Sequence, residues 1–265
     1  MLTIASFILI ITSKVVLGQD DRCADEEEIY PLDMAVNSVD DQYVKCTKEM
    51  ETLVWKKYLN NEIKTNKVFG EEWKKGEIKN YSKLQDNLTR NNSIAIFVYT
   101  GRASKLFNPD VLFGKEKYLN GTFAWYSLHF FLTQAIQTLK ITNCILTYRC
   151  TRDKFNETVL NKEIRFGFFA SSSLDRKANV FGNESCFEIN TCYGANVIQY
   201  SQHPLEKEVL IPPYEKFKVT DIKKTNWCKT VFVLESTGIE SNLNCAVPKK
   251  MRTQYRRKGT GFLLL

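Results

Sequence analysis

Eight cysteines downstream of an apolar N-terminal segment constrain this chain more than any other feature. Residues 2–11 are mostly apolar and residues 15–18 include small side chains, a pattern typical of a secretory signal peptide over residues 1–18 and not of a membrane-spanning helix. We therefore expect a mature chain that begins near Gln19 in an oxidising compartment and is braced by disulfides. A zinc site is disfavoured, because no two cysteines have the close spacing of a zinc knuckle. The cysteines are Cys23, Cys46, Cys144, Cys150, Cys186, Cys192, Cys228 and Cys245.

Acceptor patterns for N-linked glycosylation point to the same compartment. An asparagine followed two residues later by serine or threonine marks a surface position in a secreted protein. The pattern occurs at Asn80, Asn87, Asn91, Asn120, Asn156 and Asn183. We expect a glycosylated, extracellular protein that is secreted into the medium.

The formal net charge of +7 does not indicate a nucleic-acid-binding surface. Six lysines and arginines lie within residues 249–258, and the rest of the chain is left with a net charge of about +1. Residues 249–265 are therefore interpreted as a basic, solvated tail, with a heparin-like or membrane-surface patch as the alternative. Residues 261–265 are too short for the hydrophobic part of a lipid-anchor signal. We expect no nucleic-acid partner and no membrane span.

Hydrophobic periodicity divides the mature chain into a helical part and a strand-rich part. Residues 33–88 carry apolar side chains at helical intervals and predict several short helices, whereas residues 94–99 form an apolar run that predicts a strand. Residues 125–139 predict an amphipathic helix. We interpret His129 on that helix as a core histidine, because no nucleophile or metal partner is evident near it.

Short apolar runs separated by glycine and proline follow, and they predict an antiparallel-rich sheet. Strands are expected at residues 145–149, 164–170, 186–191, 197–200, 209–211, 217–222 and 230–235. Neither G-x-G-x-x-G nor G-x-x-x-x-G-K-[ST] occurs, so a Rossmann or P-loop nucleotide site is not expected. The fold class is therefore α+β.

Three polar elements of the strand-rich part are candidates for a site. Glu206 and Glu208 stand two residues apart beside the apolar run 209–211, and in an extended chain both would point to one side. Two like charges on one face favour a site that handles positive charge. Arg149 ends a strand and offers a planar fork for phosphate oxygens, and another strand ends in hydroxyls at Ser171. Taken singly, these elements are more typical of a solvated loop, a surface ion pair and a turn.

The order of these elements carries a family resemblance. The strings ILTYR, IRFGFFASSS, FGNESCFEINTCYGANVIQYS and EKEVLIPPYEKF follow one another, preceded by DDQY, FVYTG and SLHFFLTQA. Together they resemble the R-S-E constellation of the vertebrate ecto-ADP-ribosyltransferases, arginine-specific mono-ADP-ribosyltransferases related to some bacterial toxins. The resemblance implies an N-terminal helical region packed on an antiparallel-rich two-sheet core. It also implies a single domain over residues 19–248, helical over about 24–92 and sheet-rich over about 93–248.

The roles that this resemblance implies match the chemistry of NAD+, whose nicotinamide is a positively charged leaving group. Breaking its glycosidic bond leaves an oxocarbenium-like ribose, and a nearby carboxylate stabilises that charge. By resemblance Glu208 hydrogen-bonds the ribose and is oriented by Ser171, and Arg149 holds the phosphate end. Glu206 would orient an acceptor guanidinium and draw off its proton.

The resemblance further implies NAD contacts from Tyr99, Phe181 and Ser201, with a core position as the alternative for Phe181. NAD+ is then a co-substrate, with NADP+ as an alternative, and no cofactor or metal is bound permanently. The partners are arginine-bearing proteins outside the cell. Two alternatives stay open: an NAD glycohydrolase with water as acceptor, and a catalytically silent secreted binding protein on the same scaffold. The presence of Arg149, the serine run and both glutamates favours an enzyme.

The chain departs from the family pattern at two positions near the arginine. Cys150 stands where the family usually has glycine, and Phe168 stands where a polar residue is common. The disulfides implied by the resemblance are Cys46 with Cys245 and Cys144 with Cys192, and we pair the remaining cysteines as Cys150 with Cys186 and Cys23 with Cys228.

Overall fold

Apart from a two-residue strand at Ile29–Tyr30, the described α-helices precede the described strands along the chain, which confirms the α+β class. The computed structural model describes residues 28–79, 87–176 and 181–250, together with Thr253. The helices in these ranges are α1 (Thr47–Leu53), α2 (Leu59–Thr65), α3 (Lys67–Ile78), α4 (Arg90–Val98), α5 (Ser104–Leu112), α6 (Lys115–Asn120) and α7 (Tyr126–Leu139). The helical part thus continues to the end of α7, well past the expected boundary near residue 92.

The strands form one large sheet and one small sheet. They are β1 (Ile29–Tyr30), β2 (Ile145–Thr151), β3 (Lys154–Phe155), β4 (Glu163–Arg165), β5 (Ala170–Ser173), β6 (Ser185–Thr191), β7 (Ala195–Asn196), β8 (Glu208–Ile211), β9 (Glu215–Lys223) and β10 (Thr230–Ile239). The eight-stranded sheet has the order β4-β9-β10-β6-β2-β5-β8-β7, and β1 pairs with β3. Only β10 and β6 run parallel within the large sheet as described, so it is mostly antiparallel.

The strand expected at residues 94–99 is wrong, because this run forms most of helix α4. Ile94, Ile96 and Val98 are all fully buried, and α4 packs between α3 and α7. A helix enclosed by other helices has apolar side chains on every face and loses the periodicity that would reveal it. Thr89 fixes its start, since the Thr89 hydroxyl accepts a hydrogen bond from the backbone N–H of Asn92 at 3.2 Å.

Two of the expected strands are interrupted or replaced by turns. The run 164–170 breaks after β4 at Gly167, whose φ of +68° suits glycine. A Cβ there would also lie 2.3 Å from the side chain of Ala35. Residues 197–200 form a turn after β7 instead of a strand, since the N–H groups of Tyr200 and Ser201 both donate to the carbonyl of Val197 at 3.0 Å.

The buried apolar residues form a helical cluster and a sheet cluster. The helical cluster includes Trp73 and Phe107, and the sheet cluster includes Phe187 and Phe232, whose rings stack at 5.2 Å. Phe168 packs against both clusters. The junction between the two parts therefore lies beside the residue that departs from the family pattern.

His129 is a core histidine, as the sequence predicts. Its side chain is fully buried in α7, with Nδ1 2.7 Å from the hydroxyl of Tyr43 and Nε2 2.8 Å from the carbonyl of Val39. Burial lowers its pKa to about 4. A neutral, doubly hydrogen-bonded imidazole of this kind is structural.

A buried ion pair ties the start of the described chain to its end. Asp40 accepts a hydrogen bond from the guanidinium of Arg165 at 2.7 Å, and both side chains are about 1% exposed. The same carboxylate accepts from the backbone N–H groups of Asn242 and Leu243 at about 2.9–3.0 Å. The residues described contain no helix long and apolar enough to cross a membrane.

Two of the implied disulfides are present. Cys46 is bonded to Cys245, and Cys144 to Cys192. The second bond joins the residue before β2 to the residue after β6, and these strands pair along their whole length from Ile145 opposite Thr191. It therefore clamps one end of the strand pair that carries Arg149.

The remaining cysteines converge on Cys186. Its sulfur lies in bonding contact with those of both Cys150 and Cys228, and all three side chains are buried. A sulfur forms one disulfide at a time, so Cys150–Cys186 and Cys186–Cys228 are alternative bonds. The other expected pair involves Cys23, which lies outside the described residues.

Candidate active site

Three neighbouring strands bring the expected site residues together. In the order β2-β5-β8, Arg149 lies on β2, Ser171 on β5 and Glu208 at the start of β8. They border a cavity of about 410 Å³ at the junction of the helical and sheet parts. The expected site residues that line it are Tyr99, Arg149, Ser171, Phe181, Glu206 and Glu208.

Arg149 is held in the cavity wall from two sides. Its Nη1 donates a 2.8 Å hydrogen bond to the backbone carbonyl of Ser171. Its guanidinium lies over the ring of Phe168, 5.6 Å from the ring centre, within range of a cation–π interaction. Phe168 therefore replaces a polar neighbour with an aromatic face that supports the guanidinium. Burial lowers the pKa of Arg149, yet an arginine side chain keeps its proton in proteins.

Glu208 is a buried carboxylate whose close partners are hydroxyl groups. Its side chain is 5% exposed and is hydrogen-bonded by the hydroxyls of Ser171 and Ser201. Burial raises its pKa to about 7, the charge of Glu206 adds to the rise, and the two hydroxyls and Arg149 oppose it. The carboxyl group thus changes protonation near neutral pH and binds a cation best when ionised.

Glu206 and Glu208 reach the cavity in a different way from that expected. Residues Pro204–Glu206 form a 3₁₀ turn, and Lys207 adopts the left-handed conformation with φ 50° and ψ 48°. The prediction of an extended pair on one face is therefore wrong. Ser173 stabilises the turn, since its hydroxyl donates to the carbonyl of Glu206 at 2.7 Å. Both carboxylates still border one cavity, with Glu206 exposed at its rim and Glu208 buried within it.

Tyr99 orients Ser171 from the helical side. It lies in the π-helical turn Tyr99–Ala103 between α4 and α5. Its hydroxyl donates to the carbonyl of Phe169 and lies 3.3 Å from Oγ of Ser171. Asn108 donates to the same hydroxyl at 3.1 Å. Burial raises the pKa of Tyr99 to about 12, which keeps it a neutral donor.

Phe181 and Ser201 occupy different positions at the site. Phe181 is 53% exposed and borders the cavity, so the core alternative for it is wrong. An exposed aromatic ring beside a cavity is available to stack on a planar ligand. Ser201 is buried behind the cavity wall, where its hydroxyl accepts from the N–H of His203 at 2.9 Å and reaches Glu208. Ser201 therefore contributes to the site through Glu208.

Sequence reasoning missed polar residues whose partners are remote in the chain. Asn108 lies within helix α5, and its contact with Phe169 spans 61 residues. Gln202, next to Ser201, binds groups more than one hundred residues away. The spacing of neither residue in the sequence indicates these contacts.

Comparison with known proteins identifies the family to which this site belongs. A family model described as NAD:arginine ADP-ribosyltransferase matches residues 32–242. The chain belongs to this ADP-ribosyltransferase family. T-cell ecto-ADP-ribosyltransferase 2 of Mus musculus is 34% identical over 226 residues, which are 82% of this chain and 77% of that protein. NAD(P)(+)--arginine ADP-ribosyltransferase 1 of Gallus gallus is also 34% identical, over 85% of this chain and 76% of that protein.

Solved structures agree with this assignment. The crystal structure of the mono-ADP-ribosyltransferase ART2.2 superposes with a TM-score of 0.69 at 30% identity, covering 81% of this chain and 98% of that one. An ART2.2 mutant in complex with NAD superposes with a TM-score of 0.68 at 29% identity, with the same coverage. The chain is therefore a mono-ADP-ribosyltransferase with NAD+ as its co-substrate.

Proposed function

We propose that this protein transfers ADP-ribose to arginine side chains of extracellular proteins through Arg149, Ser171, Glu206 and Glu208. The observation that carries the proposal is the pair of carboxylates at one cavity, one buried and one exposed. The two carboxylates have different roles because they differ in exposure. The buried Glu208 acts on bound NAD+, and the exposed Glu206 contacts the incoming acceptor.

The first step is cleavage of the bond between the ribose and nicotinamide. Nicotinamide leaves with the bonding electron pair and becomes neutral, and positive charge develops on the ribose. Glu208, ionised and oriented by Ser171 and Ser201, stabilises that charge from a site where water does not screen it. The hydroxyls of Ser171 and Ser201 lower the pKa of Glu208 and so favour its ionised form.

The second step is attack by a guanidinium nitrogen of the acceptor. A protonated guanidinium has no free lone pair, and a carboxylate must orient it and accept its proton as the new C–N bond forms. Glu206 has the exposure that this role needs, because it stands on the 3₁₀ turn at the rim. The proton lost by the acceptor passes to Glu206 and then to solvent.

The remaining contacts hold NAD+. Arg149 provides a fixed positive charge for the phosphates, supported by the ring of Phe168. Phe181 provides an exposed ring for stacking on nicotinamide. Tyr99 and Ser201 act through the groups they orient, Ser171 and Glu208. NADP+ is the alternative co-substrate.

One assay tests the division of roles. The purified protein is incubated with labelled NAD and a simple guanidino acceptor, and the conjugate is compared with free ADP-ribose. We expect Glu208→Gln to lose both products and Glu206→Gln to lose the conjugate while it keeps hydrolysis. Glu235→Gln, an exposed glutamate on β10, is the matched control and should retain both. Equal loss of both products in Glu206→Gln would refute the division.

The same assay decides between transferase and NAD glycohydrolase. The exposure of Glu206 admits water as well as a guanidinium to the rim. A wild-type protein that forms free ADP-ribose and no conjugate at every acceptor concentration would be a glycohydrolase. Formation of neither product would identify a silent binding protein.

The proposed compartment is extracellular, and four of the five sequons within the described residues support it. Asn87, Asn120, Asn156 and Asn183 are exposed, so each is accessible to glycan attachment. We expect a glycosylated protein in the culture medium of expressing cells, with a mass that falls on enzymatic removal of N-glycans. Recovery from the membrane fraction, with release by a phospholipase that cuts lipid anchors, would contradict secretion.

A further inference from the structure

A glutamine between two site residues ties the active-site loop to the helical part. The side-chain amide of Gln202 donates to the carbonyl of Phe97 at 2.8 Å and to Oε2 of Glu72 at 3.0 Å. Its backbone N–H donates to the hydroxyl of Thr100 at 3.0 Å. The loop that contains Ser201 and Glu206 is therefore attached to α3 and to the end of α4.

Glu72 is a buried anion fixed from several directions. Its side chain is 1% exposed, and its Oε1 accepts from Lys75 at 2.7 Å and from Nε of Arg102 at 2.9 Å. Burial alone would raise the pKa of Glu72, but hydrogen bonds from Lys75, Gln202 and Arg102 outweigh it and the pKa is lowered. Glu72 therefore remains ionised throughout the neutral range and is a strong acceptor for the Gln202 amide.

The backbone at Gly101 makes room for this contact. A Cβ at that position would lie 2.2 Å from the amide nitrogen of Gln202 and 2.8 Å from Oε2 of Glu72. Gly101 lies in the π-helical turn that also contains Tyr99 and breaks the helix with φ −92° and ψ −143°. The same turn thus presents Tyr99 to Ser171 and receives Gln202.

We propose that Glu72 and Gln202 are positioning residues for the transfer reaction, holding the 201–207 loop so that Ser201 meets Glu208 and Glu206 faces the acceptor. Neither touches the reacting atoms. The inference rests on the roles proposed for Glu206 and Glu208. Its physical basis is that Glu206 stands on the short turn that follows Gln202 and Glu208 begins the next strand, and a displacement of about 1 Å can cost up to about 100-fold in rate.

The test compares Glu72→Gln and Gln202→Ala with the control Glu71→Gln. Glu71 is the neighbouring residue and also binds Arg102, at 2.8 Å, but it is exposed, and the hydrogen bonds of Gln202 go to Glu72, Phe97 and Thr100. We expect Gln202→Ala to lower kcat for guanidino transfer about tenfold with less than about a twofold change in KM for NAD. Glu72→Gln should change kcat in the same direction by a smaller factor, and Glu71→Gln should match wild type.

Two further readouts separate positioning from a general loss of stability. Release of Ser201 removes a hydrogen bond that lowers the pKa of Glu208, so the rise of hydrolysis with pH should move to higher pH in Gln202→Ala. The double variant Glu72→Gln/Gln202→Ala should be no slower than Gln202→Ala alone, because Glu72 acts through Gln202. Rates are expressed per folded molecule, and Gln202→Ala, in a half-buried loop, carries the test if Glu72→Gln does not fold.

The outcomes are distinct from those for the catalytic carboxylates. If Gln202→Ala matches Glu71→Gln in kcat, in the ratio of conjugate to free ADP-ribose and in pH profile, the positioning role is overturned. If transfer and hydrolysis fall equally with an unchanged pH profile, Gln202 contributes stability only, which also overturns it. A fully active Glu208→Gln would instead overturn the proposed function, whatever Gln202→Ala shows.

Discussion

Asp40 and Glu208 are both buried carboxylates, but their neighbours differ in charge. Asp40 lies where the two ends of the described chain meet, and Glu208 lies in the active-site cavity. Asp40 faces a buried arginine at 2.7 Å and two backbone N–H groups, so its charge is neutralised and its oxygens are satisfied. Glu208 has two serine hydroxyls, a neighbouring glutamate and a more distant arginine. The first arrangement holds the fold together, and the second leaves a carboxylate able to accept a cation.

This difference shows how one residue type provides stability in one place and reactivity in another. A buried carboxylate that faces a buried guanidinium and accepts backbone hydrogen bonds has partners that replace the water it has lost. A buried charge with hydroxyl partners alone is desolvated without full compensation, and its pKa rises. The positive charge that develops on the ribose of NAD+ during bond cleavage is the partner that such a carboxylate can stabilise.

The largest expected effect comes from replacing the reactive carboxylate. Glu208→Gln should lower kcat/KM for NAD cleavage by about 10³-fold, because charge stabilisation at the ribose is lost. Steady-state rates of transfer and hydrolysis measure this. Retention of more than a tenth of either rate would mean that Glu208 is not the group that stabilises the ribose.

The same variant should be more stable than the wild-type protein at alkaline pH. The pKa of Glu208 is raised from 4.5 to about 7 in the folded state, so its protonation favours folding below pH 4.5 and this contribution is lost as the pH rises through about 7. At pH 8 the ionised carboxylate destabilises the fold by about 3 kcal/mol. Chemical denaturation of Glu208→Gln should show that gain at pH 8 and little at pH 4.

Replacement of the structural carboxylate Asp40 should lower stability and leave the pH dependence of activity unchanged. Asp40→Asn leaves Arg165 buried without its counter-charge and should lower the free energy of unfolding by about 3–4 kcal/mol. Asp221→Asn, in an exposed ion pair with Lys223, is the control and should cost less than about 1 kcal/mol. The pH profile of the remaining folded Asp40→Asn enzyme should match wild type. A shifted profile would show that the two regions are coupled.

The cavity arginine should have an intermediate effect. Arg149→Lys keeps the charge but loses the planar fork and much of its contact with Phe168, so the affinity for NAD should fall about tenfold, or about 1.4 kcal/mol. Calorimetric titration of NAD measures this, with the exposed Arg152→Lys as control. An unchanged dissociation constant would remove Arg149 from the phosphate site.

The smallest effects are opposite shifts of the pH profile. Hydrolysis should rise with pH through about 7 as Glu208 ionises. Ser201→Ala removes a hydrogen bond that lowers this pKa and should move the rise to higher pH. Glu206→Gln removes a negative charge that raises it and should move the rise to lower pH. Shifts in one common direction would show that Glu208 does not govern the profile.

Much of the site was predictable because its signals are local. Arg149, Ser171 and the two glutamates each stand within a short string that the family shares, and the strings occur in the family's order. Helix α7 was predictable from its apolar periodicity, and its buried histidine from the absence of a chemical partner. Signals of this kind survive in a single sequence because each depends on residues close along the chain.

The sequence by itself determined the α+β class and the family, and through the family resemblance the disulfides Cys46–Cys245 and Cys144–Cys192 and most of the residues that meet at the cavity. Only the tertiary structure decided that residues 94–99 form an enclosed helix, that Glu206 stands on a turn while Glu208 is buried, and that Gln202 reaches Glu72 across 130 residues. The reason is physical. Burial on every side erases periodicity, and a carboxylate's reactivity depends on which groups replace its water, which are chosen by chain segments far apart in sequence.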